Sequence, residues 1–263
     1  QAKEEVKNFD IEVVGANGHS PLHDLLAHLF EKNKLRRIGF EARHLTYAAV
    51  SKFKDRLKSA EFEPVYDLVE KFRVIKSPAE LKLIKKAASI TLASFKSIER
   101  EIKAGRKEYD IAVKLECDMR SRGAEGFAFE TIVSSGARSA LPHARPSQKT
   151  LKSGGPVMID AGASFKGYNS DLTRVYLLGK IPHNINKIYD IVIKAQDMAL
   201  KAIKPGVKAS KIDAVARDYI KKCGLGDCFG HSLGHGVGLE VHEAPSVSSN
   251  SQEKIAPGMV FTV

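Results

Sequence analysis

Apolar residues recur every three or four positions in several stretches of the chain, which is the spacing that buries one face of an α-helix. This periodicity predicts helices at about 21–32, 46–58, 78–104, 109–122, 184–204 and 210–223. Shorter runs rich in β-branched and aromatic residues predict strands at 11–14, 37–40, 62–65 and 129–134, followed by a hairpin whose strands begin at Val157 and Tyr168. Helices interspersed with strands place the chain in the α/β (α+β) class.

The clearest start signal for a helix is Ser77-Pro78-Ala79-Glu80, where Ser77 is a favourable N-cap and Glu80 completes a capping box. This helix is predicted to bury one stripe of apolar side chains: Leu81, Ile84, Ala88, Leu92, Phe95, Ile98 and Ile102. The helix at 184–204 is predicted to bury a similar stripe: Ile188, Ile191, Val192, Ala195, Ala199 and Ala202. A boundary before Ser77 divides the chain into a small α/β unit, residues 1–73, and a larger unit, residues 74–263.

The predicted hairpin carries two aspartates. The apolar run that begins at Val157 ends at Asp160, and the second strand contains Asp171. If the turn is centred between Phe165 and Lys166, the two carboxylates lie directly opposite each other, where like charges destabilise a strand pair. A cation that neutralises both charges would explain this arrangement, so the hairpin predicts a metal site with hard oxygen ligands. The alternative is a different register, in which one aspartate is a turn residue or a solvated strand end.

A second cluster of reactive side chains spans residues 230–242 and contains His231, His235 and His242. The first two histidines are four residues apart, the spacing that places two ligands on one face of a helix. Four glycines between positions 230 and 238 make a helix costly, by about 1 kcal/mol per glycine relative to alanine. We therefore predict extended or looped backbone that lets other groups approach closely. Packing or solubility roles are the alternative for these histidines. A further histidine, His143, lies between prolines in a predicted loop at 135–147.

Composition limits the classes of function. The 263 residues are 43% hydrophobic and contain neither a membrane-spanning run nor a signal-peptide pattern. The chain has only three cysteines, an odd number that is too small for a disulfide framework, and this favours reduced thiols in a cytoplasmic protein. The net charge of +11 invites a nucleic-acid interpretation, but the basic residues spread along helix faces without an aromatic platform among them. We expect neither a nucleic-acid nor a membrane partner.

Two motifs together resemble those of the pita-bread metallopeptidases. They are Asp160-x10-Asp171 with its Ser-Asp-Leu-Thr-Arg continuation, and His231-x3-His235-x6-His242 followed by Glu-Ala-Pro. The family includes Xaa-Pro aminopeptidases, Xaa-Pro dipeptidases and methionine aminopeptidases. The resemblance covers residues 76–263, and residues 1–70 resemble the later part of a creatinase-type N-terminal domain, which favours the proline-specific branch. It implies the pita-bread (creatinase/aminopeptidase) fold for 74–263, preceded by a partial creatinase-like domain at 1–73, in a chain truncated at both ends.

The resemblance also implies roles for individual residues. Asp160 and Asp171 would bind two divalent metal ions, with Asp171 bridging them, and His235 would ligate one ion. Three histidines match ones that line the substrate pocket and stabilise the transition state: His143, His231 and His242. The family pattern requires two more carboxylates after Val263, so the sequence as given is expected to bind metal poorly and to lack activity. Carboxylate-rich ligation with one imidazole suits manganese, cobalt or zinc, and we favour manganese.

The implied activity is metal-dependent hydrolysis of the Xaa-Pro bond at the N-terminus of peptides. Two ions about 3.5–4 Å apart hold a bridging water, lower its pKa and stabilise the tetrahedral intermediate. The implied partners are a peptide with proline in second position and a second copy of the chain in a homodimer. Two alternatives on the same fold are a non-catalytic binding module and a metal-free creatine amidinohydrolase. The aspartate pair and His235 argue against both, and the residues leave aminopeptidase and dipeptidase activity equally open.

Overall fold

The computed structural model describes residues 21–263, with side chains from Asp24 onwards, and these residues divide into two compact units on either side of the boundary between Val69 and Glu70. The first unit contains helix α1 (Pro21–Lys32), strand β1 (Arg37–Glu41), helix α2 (Tyr47–Arg56) and strand β2 (Glu61–Val65). Strands β1 and β2 pair in parallel. These elements confirm the α/β pattern predicted for this segment, whereas the strand predicted at 11–14 lies outside the described residues.

The second unit starts with a short helix, α3 (Glu70–Arg73), and a long one, α4 (Pro78–Ile98). The capping box of α4 is confirmed, because the Ser77 hydroxyl accepts from the Glu80 N–H and the Glu80 carboxylate accepts from the Ser77 N–H. The remaining elements follow in chain order: α5 (Glu108–Ser121), β3 (Gly126–Phe127), β4 (Ile132–Ser135), β5 (Gly155–Ala161), β6 (Ala163–Phe165), β7 (Tyr168–Asn169), β8 (Leu172–Leu178), α6 (His183–Ala202), α7 (Ala209–Lys222), β9 (Gly234–Gly236) and β10 (Glu243–Val247).

The strands of the second unit form three antiparallel groups. Strand β5 pairs with β4 and β8, strand β6 pairs with β3 and β7, and β9 pairs with β10. Strands β5 to β8 therefore make one long hairpin with a break in each arm. Its two-residue turn, Lys166-Gly167, has positive φ values of 49° and 77°, as the tight turn favoured between twisted antiparallel strands requires.

Two apolar clusters stabilise the second unit. In the first, α4 and α5 pack against strands β4 to β6, and the predicted stripe of α5 is confirmed as fully buried: Ile111, Leu115 and Met119. In the second, α6 and α7 pack with β10 and with the segment that follows it. Among the helices of residues 21–263, none is both long and apolar enough to cross a membrane.

Several local predictions are wrong, and each error concerns a face or an end of an element. Helix α4 stops at Ile98 and continues only as a 3₁₀ turn, and its Leu92 is 51% exposed, because the helix turns the neighbouring face with Thr91 towards the hairpin. On α6, Ile188 and Val192 are 44% and 51% exposed. Strand β4 begins at residue 132 instead of 129. Apolar spacing locates a stripe, but the element packed against the helix decides which edge of that stripe is covered.

Candidate metal centre

Asp160 lies near the end of β5, directly opposite Thr173 on β8. The prediction that Asp160 directly opposes Asp171 is therefore wrong by two residues. The turn is centred one residue later than predicted, between Lys166 and Gly167, and each one-residue shift of a hairpin turn moves the register by two. The two aspartates are diagonal neighbours across the hairpin instead of direct partners. Their carboxylates still interact, since the charge of Asp171 acts on the ionisation of Asp160.

The carboxylate of Asp160 is held in an environment that disfavours its charge. Burial raises the pKa of Asp160 and the charge of Asp171 raises it further, to about 6, although a hydrogen bond from Thr173 acts in the opposite direction. Its Oδ1 atom is buried and has no hydrogen-bond partner among the described residues. A buried carboxylate oxygen without a donor is costly. A cation bound here would remove that cost.

Asp171 lies in the break between β7 and β8, next to the buried Ser170. The Ser170 hydroxyl is 2.8 Å from Thr91 Oγ1 on α4, and the N–H of Ala163 donates to both hydroxyls, at 3.1 and 2.9 Å. Across the break, a Cβ added to Gly162 would lie 1.8 Å from the carbonyl oxygen of Ser170. A glycine and a helix hydroxyl therefore determine the path of the backbone that presents Asp171.

His235 lies on β9 and its ring reaches Asp171. Its Nε2 is 3.3 Å from Asp171 Oδ2, and its Nδ1 donates to the carbonyl oxygen of Gly236 at 3.1 Å. Burial lowers the pKa of His235, but the contacts with Asp171 and Gly236 outweigh burial, so the pKa lies above its usual value. The prediction of extended backbone around His235 is confirmed. Its glycines permit close approach, because a Cβ on Gly236 would lie 2.2 Å from the carbonyl oxygen of Ala244.

His242 packs beside His235, with 4.1 Å between the ring centroids. Burial lowers the pKa of His242, the charges of His235 and His143 lower it further, and Asp171 acts in the opposite direction. The neutral imidazole is therefore favoured at His242. His143 is exposed in the loop that follows the 3₁₀ turn Gly136–Ala140.

His231 has different surroundings. It is exposed, its ring packs edge-on against Phe229 with 5.0 Å between centroids, and its Nδ1 lies 2.7 Å from the carbonyl oxygen of Ser232. Its own carbonyl accepts a hydrogen bond from Arg217 at 2.8 Å. These contacts belong to the loop before β9, so a role for His231 in the substrate pocket stays a prediction.

The residues brought together have the chemistry of a site for divalent ions. Asp171 interacts with a second carboxylate, Asp160, and with the imidazole of His235. One carboxylate oxygen of Asp160 is buried without a donor, and the imidazole Nδ1 already donates to a carbonyl oxygen while Nε2 faces Asp171. Within residues 24–263, however, no three His, Cys, Asp or Glu side chains are arranged closely enough to hold a metal ion as they stand. The three side chains are of the chemical types that bind divalent ions, but they contact one another only in pairs, Asp171 with Asp160 and Asp171 with His235.

The sequence patterns did not predict one cluster of charged side chains beside this site. Glu243, directly after His242, is buried, and its carboxylate accepts from Lys76 Nζ at 2.6 Å and from Arg73 at 2.7 Å. The side chain of Lys76 is only 1% exposed. The acidic residue of the His-Glu-Ala-Pro run was visible in the sequence. Its partners were not, because they lie 167 and 170 positions earlier in the chain.

Comparison with known proteins assigns this arrangement to a family. A model described as metallopeptidase family M24 matches residues 82–263, and one described as the creatinase/prolidase N-terminal domain matches residues 1–75. The chain therefore belongs to metallopeptidase family M24. The predicted α/β (α+β) pita-bread architecture and the predicted class, a metal-dependent peptidase, are confirmed at the level of the family. Nothing in the comparisons favours a non-catalytic binding module.

Three similar proteins illustrate the relationship. An Xaa-Pro dipeptidase of Pyrococcus furiosus is 42% identical over 219 residues, which are 83% of this chain and 63% of that protein. A solved Xaa-Pro dipeptidase from Bacillus anthracis has a TM-score of 0.89 at 42% identity, over 91% of this chain and 67% of that one. A solved X-Pro aminopeptidase from Thermotoga maritima has a TM-score of 0.89 at 37% identity, over 99% of this chain and 71% of that one. The chain thus spans about two thirds of the length of these proteins.

Proposed function

We propose that the protein is an exopeptidase that hydrolyses the Xaa-Pro bond at the N-terminus of peptides, as an Xaa-Pro aminopeptidase or an Xaa-Pro dipeptidase. The observation that carries this proposal is that Asp171 interacts with Asp160 on β5 and with His235 on β9, which come from separate segments of the second unit. The names of relatives that are 42% and 37% identical to this chain over the matched residues support the proline-containing substrate.

Asp160, Asp171 and His235 would hold the two divalent ions, with Asp171 shared between them. Manganese is the ion we favour, because a carboxylate-rich set of ligands suits hard ions, with cobalt and zinc as the other candidates. When bound, the ions supply an activated water and stabilise negative charge on the peptide oxygen. Loading would displace the proton from His235, since imidazole ligates in its neutral form.

The remaining side chains act on the substrate. The two carboxylates make the site attractive to the free α-amino group of a peptide, which selects the N-terminal residue. His242 is favoured in its neutral form and therefore carries one N–H that donates to the developing oxyanion. His143 would donate to the departing proline nitrogen, and His231 would line the outer wall of the pocket.

The finer features of the proposal concern the whole protein. We propose a creatinase-like N-terminal domain at residues 1–73 and a catalytic domain at 74–263. We further propose a cytoplasmic homodimer that acts on peptides with proline in second position. The cysteine content supports the cytoplasmic location, as argued from the sequence.

Peptide cleavage by the purified protein tests this function. The protein is expressed with whatever residues flank this sequence in the native polypeptide, stripped with a chelator, and assayed on Ala-Pro and Ala-Pro-Ala with and without manganese. We expect cleavage that manganese restores and that Asp171→Ala abolishes, and the preferred peptide divides dipeptidase from aminopeptidase. Asp190→Ala, at an exposed position on α6, is the matched control and should remain active. A folded protein that cleaves neither peptide with manganese, cobalt or zinc would contradict the proposal.

A further inference from the structure

We propose that Glu108 is a positioning residue for His143, because its buried carboxylate holds both ends of the loop at 135–147 that carries this histidine. The inference rests on the function proposed above. Glu108 lies in the first turn of α5 and is 0% exposed. A buried carboxylate at this point requires an explanation, since an apolar side chain of similar volume would avoid the cost of desolvating a charge.

The two oxygens of the carboxylate are divided between the two ends of the loop. Oε1 accepts hydrogen bonds from the N–H and the hydroxyl of Ser135, both at 2.8 Å. Oε2 accepts from the hydroxyl and the N–H of Ser147, at 2.7 and 3.3 Å. One rigid planar group therefore sets the distance between the start and the end of the loop.

A third partner of the Glu108 carboxylate, Arg138, lies within the loop itself. Arg138 forms an ion pair with Oε2 of Glu108 and donates to the Ser147 hydroxyl at 2.9 Å. Its second terminal nitrogen donates to the carbonyl oxygen of Arg145 at 2.8 Å. Arg138 and Arg145 lie on either side of His143, so the network reaches the backbone that flanks the imidazole.

Other contacts also hold the loop: Ser135 pairs with Val157 across β4 and β5, the N–H of Tyr109 donates to the Ser147 carbonyl oxygen at 3.0 Å, and Arg145 pairs with Glu130 at 3.0 Å. The Glu108 carboxylate differs from these contacts because it reaches both ends of the loop. Between its ends, Ala144 is buried, but Leu141 is 56% exposed and His143 is exposed as well. Every hydrogen bond that the Glu108 carboxylate accepts in the part of the chain that the structure describes comes from this one loop. A carboxylate whose partners all belong to a histidine-bearing loop is placed to set the position of that histidine.

Amide hydrogen exchange tests the structural half of the inference without any assay of activity. In Glu108→Gln, which keeps the shape and loses the charge, exchange across residues 136–147 should rise by about tenfold or more, while the hairpin of β5 and β8 stays protected. Asp110→Asn makes the same change of charge on the same helical turn at an exposed position, and should leave the loop unchanged. Loop exchange in Glu108→Gln equal to that of the wild type would overturn the inference.

Kinetics of the metal-loaded enzyme test the functional half. Glu108→Gln should lower kcat about tenfold or more with KM within about threefold, because misplacing a group that acts in the transition state costs rate more than binding. In a His143→Ala background the same substitution should cost no further kcat, since its effect passes through that imidazole. Losses that multiply in the double variant would overturn the positioning role.

Two further results keep the test decisive. If Glu108→Gln does not fold, Ser147→Ala removes the hydroxyl at one end of the loop only, and should raise loop exchange and lower kcat in the same direction but by less. If the wild-type protein does not cleave peptides at all, the proposed function fails, whereas loop exchange still decides whether Glu108 holds the loop.

Discussion

Lys76 is the residue whose replacement most directly tests how the histidine cluster is supported. Its side chain is 1% exposed, and its ammonium lies 2.6 Å from a carboxylate oxygen of Glu243, which is itself 6% exposed. Arg73 holds the other oxygen at 2.7 Å. Lys76→Met keeps the length of the apolar stem and removes the charge, so Glu243 stays buried with one cationic partner instead of two.

The expected cost follows from the burial of this pair. Removing one partner of a buried ion pair costs about 3–5 kcal/mol, because the remaining charge is left without compensation. Arg73 still compensates part of the charge, so we expect the lower end, about 3 kcal/mol, or roughly a 150-fold loss in the folding equilibrium. Since Glu243 directly follows His242, the same variant should also lower kcat.

Urea unfolding followed by circular dichroism measures this cost. Lys114→Met is the matched control, since Lys114 Nζ is just as close to its acid, 2.7 Å from Glu101, but its side chain is 48% exposed, and the midpoint should barely move. The double variant Lys76→Met/Glu243→Gln should be at least about 1 kcal/mol more stable than the sum of the single effects predicts. A Lys76→Met protein as stable as Lys114→Met would refute the reasoning.

Three other predictions concern neighbouring parts of the second unit. Burial alone would raise the pKa of Glu108, but its serine and arginine partners outweigh burial and lower it. Its stabilising effect should therefore be complete above the ordinary carboxyl pKa of about 4.3 and be lost as pH falls through the lowered value, so unfolding curves of the wild type and Glu108→Gln should converge in acid. Gly162→Ala places a Cβ 1.8 Å from a backbone carbonyl oxygen and should destabilise by about 1–3 kcal/mol and weaken manganese binding in calorimetry, whereas Gly126→Ala, with no atom within 4 Å, should do neither. Thr91→Val removes a hydroxyl from a buried network and should cost about 1–3 kcal/mol in thermal unfolding. Thr131→Val, whose buried hydroxyl has no partner among the described residues, should cost nothing, and equal effects would contradict the network's role.

Much of the local structure could be predicted because its causes are local. Helix α1 has the predicted bounds, Ser77 caps α4 as its sequence indicates, and the α5 stripe built on Leu115 is buried. Caps and apolar spacing act within a few residues of the chain. The candidate donors were found for a related reason, since two aspartates in one apolar hairpin and a glycine-rich run of histidines differ in composition from ordinary core or surface.

The register of the hairpin marks the limit of such reasoning. Turn residues alone allowed centres one position apart, and the observed one places Asp160 opposite Thr173. The choice follows from the positive φ angles of Lys166 and Gly167 and from the close passage of the chain at Gly162, which depends on the packing of α4. A pattern with period two is compatible with either centre.

By itself, the sequence determined approximately where the helices form, which side chains are candidates for a metal, and which family they resemble. Only the tertiary structure decided that Asp171 meets His235, and that Glu108 and Glu243 are buried among serines and cations from distant segments. The physical reason is one of range. Backbone propensity and capping are satisfied by neighbours in the chain, whereas burial and charge compensation depend on which surfaces pack together.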